Sequence, residues 1–281
     1  MVYSGKQRKD FILKYIYRNG HVLVKDLAVE MAISEATVRR DLKIMADAQE
    51  VELIYGGATL KRNGDFAFRS ENTRNVEAKR KVGELAAGLI RDGDQIFLDS
   101  GTTTFQMAGL LKGKRNLSVI ANSIRLTEAL SVIPDVNIIM LGGQYRVDRM
   151  DTIGPLAMEA MEQLRGYRAF IGADGVSMDF GLAASDIESS HLYRLVIRHA
   201  RETILVVDHT KFEAPSLYKI VDWDAVSTVV TDSMPSPAWV EFLKGKNIGV
   251  VCGSGNQGSG FRVPEGAGPV DASQSPVSSN F

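Results

Sequence analysis

The chain has 281 residues, 44% of them hydrophobic and 24% charged, with a formal net charge of −1. This is the composition of a globular protein of one or two domains and not of a polycation, so any nucleic-acid surface has to come from local charge. A single cysteine, Cys252, excludes an internal disulfide, no apolar run approaches the ~20 residues of a bilayer span, and the polar start Met1–Asp10 lacks the apolar stretch of a signal peptide. A cytoplasmic location without membrane contact is expected. The four histidines, His21, His191, His199 and His209, do not stand at zinc-site spacings. No metal site is therefore expected, and the sequence offers no cofactor motif and no catalytic residue.

Residues 7–18 carry Phe11, Ile12, Tyr15 and Ile16 on one helical face, closed by Asn19-Gly20. His21–Val24 can pair as a small strand. Residues 25–31 form a second short helix with Leu27, Ala28 and Met31 inward, and Ala32-Ile33 make a turn. Ser34 is suited to cap the next helix, which runs to about Met45 with Val38, Leu42 and Met45 inward. Its other face carries Thr37, Arg39, Arg40 and Lys43. Residues 51–60, broken by Gly56-Gly57, read as a β-hairpin, and Lys61–Asp65 open a linker.

Residues 72–91 have a helical apolar face, Val82, Leu85, Ala86, Leu89 and Ile90. Beyond them strands alternate with helices. Strands are expected at 95–98, 117–120, 136–141, 169–171, 203–207, 227–231 and 248–251. Helices are expected from 104 to 111, from 124 to 131 and from 191 to 200. That alternation predicts an α/β domain with a mostly parallel sheet. The stretch 253–281 is rich in Gly, Ser and Pro and poor in large apolar residues, so it is expected to be disordered. The expected organisation is a winged helix-turn-helix over 1–62, a linker over 63–75, an α/β domain over 76–252 and a tail over 253–281.

Residues 1–62 hold eleven Lys and Arg against eight Asp and Glu, a formal +3 on a chain of −1. A basic module on an acidic body suits DNA, where phosphate contacts dominate affinity. The residues placed to meet duplex DNA are Ser34, Glu35, Ala36, Thr37, Arg39, Arg40 and Lys43 on the recognition helix, with Tyr55, Gly56 and Gly57 in the wing and Lys61 and Arg62 beside it. Arginine can grip a guanine edge or clamp a phosphate, and the sequence does not say which arginine does which.

In an open α/β sheet, ligands bind beyond the carboxyl ends of the strands. There stand Asp99, Ser100, Gly101, Thr102, Thr103 and Thr104, then Asn122 and Ser123, Gly142 and Gly143, Gly172 and Asp174, and Lys211. The Gly101–Thr104 segment, opening a helix after a strand, is suited to an anion such as phosphate, with Lys211 as countercharge. Asp99, Asn122 and Asp174 suit sugar hydroxyls or a carbonyl.

Ser34–Leu42 with Gly56-Gly57-Ala58 resembles the DeoR family of bacterial regulators of sugar metabolism. The resemblance continues through Asp99–Thr103, Asn122-Ser123, Gly142-Gly143, Gly172–Gly175 and Asp208–Phe212, in order, over roughly residues 6–251. It implies a winged helix joined to an effector domain like ribose-5-phosphate isomerase. It further implies a repressor of a carbohydrate-utilisation operon, modulated by a phosphorylated sugar, acting on operator DNA as a homodimer or homotetramer. The sequence departs from the pattern in one helix: Ser189 and Tyr193 stand where many members carry a glutamate and a lysine. Two other readings are an isomerase-like enzyme with an added helical module, and a transcriptional activator.

Overall fold

The computed structural model describes residues 5–19, 21–48, 50–60, 75–212 and 216–253. The expected wing cations Lys61 and Arg62, the linker up to residue 74 and the tail from 254 lie outside these.

The N-terminal unit runs α1 (Gly5–Asn19), β1 (His21–Leu23), α2 (Val24–Glu30), α3 (Glu35–Asp47), β2 (Val51–Ile54) and β3 (Gly57–Leu60). Its three strands form an antiparallel sheet in the order β1-β3-β2. Ile12, Ile16, Leu27, Val38, Leu42, Met45, Val51 and Ala58 make one buried core. Between α2 and α3 the chain turns through Ala32, at φ 52°. Ser34 then caps α3, its Oγ accepting the Thr37 N–H at 3.2 Å. A side chain on Gly57 would run into the Val22 carbonyl oxygen, with Cβ only 1.8 Å away, so the wing packs on β1 only through a glycine.

The second unit begins with α4 (Val76–Gly88), β4 (Gln95–Leu98) and α5 (Thr102–Phe105). The helix expected from 104 to 111 is instead the single turn α5 followed by a 3-10 turn at Ala108–Leu111. Next come β5 (Leu117–Ala121), α6 (Ile124–Ser131), β6 (Val136–Met140), β7 (Gln144–Arg146), β8 (Asp151–Ile153), α7 (Pro155–Glu162) and β9 (Arg168–Ile171). The chain closes with β10 (Gly175–Ser177), β11 (Gly181–Ala184), α8 (Ile187–His199), β12 (Glu202–Val206), β13 (Tyr218–Val221), β14 (Thr228–Thr231), α9 (Pro237–Gly245) and β15 (Gly249–Cys252).

Seven strands pair in parallel in the order β15-β14-β12-β9-β4-β5-β6. Along β4 the side chains alternate between two cores. Phe97 joins Ala169, Ile171 and Leu205 on one face, while Ile96 and Leu98 join Phe170, Ile204 and Val206 on the other. Helices cover both faces: α7, α8 and α9 supply Met161, Leu192 and Leu243 to the first core, and α4 and α6 supply Val82 and Leu126 to the second. Parallel strands buried on both faces read as nearly continuous apolar runs, which is what makes them visible in the sequence. Two small antiparallel sheets, β7-β8 and β10-β11-β13, stand outside it. Among the described residues no helix is long and apolar enough to cross a membrane.

From β4 the chain steps outward to β5 and β6, then returns to the other side of β4 for β9, β12, β14 and β15. The strand order therefore reverses between β4 and β9. In an open parallel sheet this switch point opens a crevice at the carboxyl ends of the two strands.

Candidate functional site

On the N-terminal unit, α3 turns Val38, Leu42 and Met45 into the core and leaves Ser34, Glu35, Ala36, Arg39, Arg40 and Lys43 exposed, with Thr37 half-buried. Arg39 reaches back one turn to Glu35 at 3.2 Å. Ala36, Arg40 and Lys43 follow at helical spacing on one exposed stripe. Neither cation of that stripe has an ion pair among the described residues. Arg8 of α1 has a different role: its guanidinium makes two bonds to Asp41, at 2.6 and 3.1 Å, and fastens α1 to α3. The hairpin tip presents Tyr55, fully exposed, beside Gly56 at φ 76°. The expected DNA-contact residues thus fall on one helix and one wing.

At the switch point, Asp99 follows β4 and Gly172 follows β9. The Gly172 N–H donates to Asp99 Oδ2 at 2.6 Å, and the Gly101 N–H to Asp99 Oδ1 at 3.0 Å. The Thr104 hydroxyl, with one hydrogen to give, is within hydrogen-bond reach of both the same carboxylate and the Gly101 carbonyl. Asp99 is buried, which pushes its carboxyl above the ordinary range against the pull of those three donors. Its oxygens are committed to holding the loop. Thr102 and Thr103 are nearly buried, and their hydroxyls have no partner among the described residues.

Ser100 is tied in two directions. Its hydroxyl donates to Asp151 Oδ2 at 2.8 Å and lies 2.9 Å from the Tyr193 hydroxyl on α8. Asp151, fully buried on β8, sits directly across the β7–β8 hairpin from Arg146. Arg146 donates to both Asp151 oxygens at 2.8 and 2.7 Å, to Asp186 at 2.8 Å and to the Ser189 hydroxyl at 2.9 Å. Asp186 caps α8 through the Ser189 N–H at 2.8 Å and also faces Arg149 at 3.2 Å. Burial alone would raise the Asp186 carboxyl; the Ser189 amide and the guanidiniums of Arg149 and Arg146 outweigh it, and the group titrates below the ordinary range. The hairpin thereby ties the β4 loop to the start of α8.

The other expected residues divide between framework and rim. Asn122, fully buried, donates to the Thr152 carbonyl at 3.0 Å, and Ser123 caps α6. Gly143, at φ 149°, packs where a Cβ would lie 2.5 Å from the Ile153 carbonyl oxygen, while Gly142 is exposed. Asp174 accepts the Ser185 N–H at 2.7 Å. Lys211 lies in the 3-10 turn after β12, half-buried, with no ion pair among the described residues. In that turn Asp208 accepts from the Thr210 N–H at 3.0 Å, and Asp232, after β14, accepts from the His209 N–H at 2.7 Å and faces its ring.

The residues missed by sequence reasoning are Arg146, Arg149, Asp151 and Asp186. Strands of three residues carry no periodicity, so nothing marked Arg146 and Asp151 as cross-strand partners. The departure at Ser189 and Tyr193 was the available signal, since both side chains touch this cluster.

A basic, winged helix-turn-helix joined to a mostly parallel α/β domain is the organisation of a DNA-binding transcriptional regulator. The comparisons agree: residues 8–63 match the DeoR-like helix-turn-helix domain and residues 74–233 the DeoR C terminal sensor domain. The chain belongs to the DeoR family. It is 30% identical over 243 residues to the lactose phosphotransferase system repressor of Lactococcus lactis, covering 85% of this chain and 95% of that one. It is 30% identical over 237 residues to a putative sgc region transcriptional regulator of Escherichia coli, covering 82% and 90%. With the transcriptional regulator IolR of Bacillus subtilis it shares 26% identity over 238 residues, covering 84% and 95%. Among solved structures it is similar to ribose 5-phosphate isomerase A from Methanocaldococcus jannaschii, at 21% identity and a TM-score of 0.36. That match spans 49% of this chain and 55% of the isomerase.

Proposed function

We propose that the protein is a cytoplasmic repressor of a carbohydrate-utilisation operon whose grip on operator DNA is modulated by a phosphorylated sugar. The observation that carries the DNA half is the exposed stripe of Arg40 and Lys43 on a capped helix, beside a wing tipped by Tyr55. Ser34 to Thr37 lie at the amino end of that helix, where base edges are reached in a major groove. Helix-turn-helix dimers read paired half-sites one helical turn apart, and a homodimer or homotetramer is the assembly that fits this reading.

The effector half rests on the switch point. The hydroxyls of Thr102 and Thr103 and the ammonium of Lys211 are the uncommitted donors that a phosphate needs, and the loops at Gly142, Gly172 and Asp174 border the crevice. Asp99, Gly101, Thr104, Asn122, Ser123 and Gly143 act as its framework. Both oxygens of Asp99 are held by local donors and one of Asp174 by a backbone N–H, which favours a binding site over general-base chemistry.

The test begins with genomic fragments captured by the full-length protein. Their affinity is then measured by fluorescence anisotropy at fixed salt, with and without a panel of pentose and hexose phosphates. At least one fragment should bind specifically and respond to at least one phosphosugar. A reporter fused to that fragment should rise when the gene for the protein is deleted; a fall would make it an activator.

A further inference from the structure

We propose that Tyr193 sets the charge selectivity of the switch-point site: it takes the Ser100 N–H while Asp151 takes the Ser100 hydroxyl hydrogen, so Ser100 is left an acceptor only, an uncharged, hydroxyl-bearing part of the ligand is taken there and a second anionic group is rejected. This rests on the reading of the crevice as a sugar-phosphate site.

The hydrogens decide the matter. A carboxylate only accepts, so the Ser100 hydroxyl donates to Asp151 at 2.8 Å. A hydroxyl has one hydrogen, so in the 2.9 Å contact between Ser100 and Tyr193 the phenol must be the donor. The Ser100 N–H is turned back on the Tyr193 oxygen at 3.4 Å. The next N–H, of Gly101, is bonded to Asp99 at 3.0 Å. Every hydrogen that an anion over Ser100 and Gly101 would need is thus engaged within the protein. What Ser100 Oγ keeps is a lone pair, which pairs with a ligand hydroxyl. Tyr193 is held in the donor state by burial and by the nearby Asp99 and Asp151, all of which push its phenol far above its ordinary value.

The charges agree with the hydrogens. Arg146 and Arg149 are matched by Asp151 and Asp186. Asp99 is buried under the same turn without a cationic partner among the described residues. An anion placed above it gains no countercharge. The phosphate is left to the Thr102, Thr103 and Lys211 side, and the hydroxylated end of the ligand to Ser100.

The test compares ligands that share a phosphate and differ in a second anion: ribose 5-phosphate with 5-phosphoribonate, and glucose 6-phosphate with 6-phosphogluconate. Binding to the full-length protein is measured by calorimetry. The wild type should bind an aldose phosphate about tenfold or more tightly than its aldonate. Tyr193→Phe keeps the ring against Phe97, 6.5 Å away, but frees the Ser100 N–H, so the ratio should fall towards one. If Tyr193 only holds the loop in place, both ligands weaken by the same factor and the ratio stays put; that result overturns the proposal. So does a wild type that binds the aldonates as tightly as the aldoses, whatever the variant does. Binding of no sugar phosphate at all refutes the sugar-phosphate reading itself, and this inference with it.

Discussion

Removing Arg146 tests how the sensor domain is held together. Its side chain is 12% exposed and that of Asp151 is 0% exposed. Arg146→Ala deletes four hydrogen bonds: two to Asp151, one to Asp186 and one to Ser189. Asp151 is then left buried with Ser100 as its one remaining side-chain donor among the described residues. An isolated charge in that position costs about 3–5 kcal/mol, a large part of a typical domain's stability. The melting temperature should fall by about 6–20 °C. Tryptophan fluorescence isolates the domain concerned, because the two tryptophans of the chain, Trp223 and Trp239, both lie in its core. The double variant Arg146→Met/Asp151→Leu removes the charges together and should recover at least half of the loss. A loss below about 1 kcal/mol for Arg146→Ala would show that the hairpin does not depend on this pair, and the reasoning would fail.

Other expectations concern the DNA-reading unit and acid stability. Arg40→Ala should weaken operator binding by about 1–3 kcal/mol, measured by anisotropy at fixed salt, because its guanidinium is exposed and has no ion pair among the described residues. Its thermal stability should stay within about 0.5 kcal/mol of wild type. Ser34→Ala removes the cap on the Thr37 N–H and should destabilise the N-terminal unit by about 1 kcal/mol, read from amide exchange along α3. Asp186 titrates below an unfolded aspartate, so its contribution is complete above about pH 4 and is lost as the pH falls from there through its folded value. Acid melts of Asp186→Asn should therefore show a shallower decline below about pH 4 than wild type; identical slopes would remove Asp186 from the acid response.

Much of this architecture was legible because it repeats a period. Val38, Leu42 and Met45 announce α3, and the apolar runs of β4, β5, β9, β12 and β14 announce buried parallel strands. The start of α8 was not legible: its apolar spacing begins at Leu192, while the helix begins at Ile187 behind the Asp186 cap. α7 and α9 open with Pro155 and Pro237 at their first turns, a local signal for a helix start. The strand-end motifs fall together at one edge of the sheet, since parallel strands put all their carboxyl ends there. Their division of labour depends on contacts between distant segments. Asp99 is drawn to Gly172 across the switch point and Ser100 to Tyr193 across 93 positions. No local pattern encodes such pairs.

The central claim is that a ligand at the switch point controls a DNA-binding helix on the same chain. It is tested most directly by titrating full-length wild type and Lys211→Ala onto the captured operator, with and without a phosphosugar that wild type binds. Operator affinity should be equal for both proteins without ligand, and the ligand should change it for wild type and not for Lys211→Ala. A variant that responds like wild type, or a wild type whose operator affinity ignores a ligand it demonstrably binds, would contradict it.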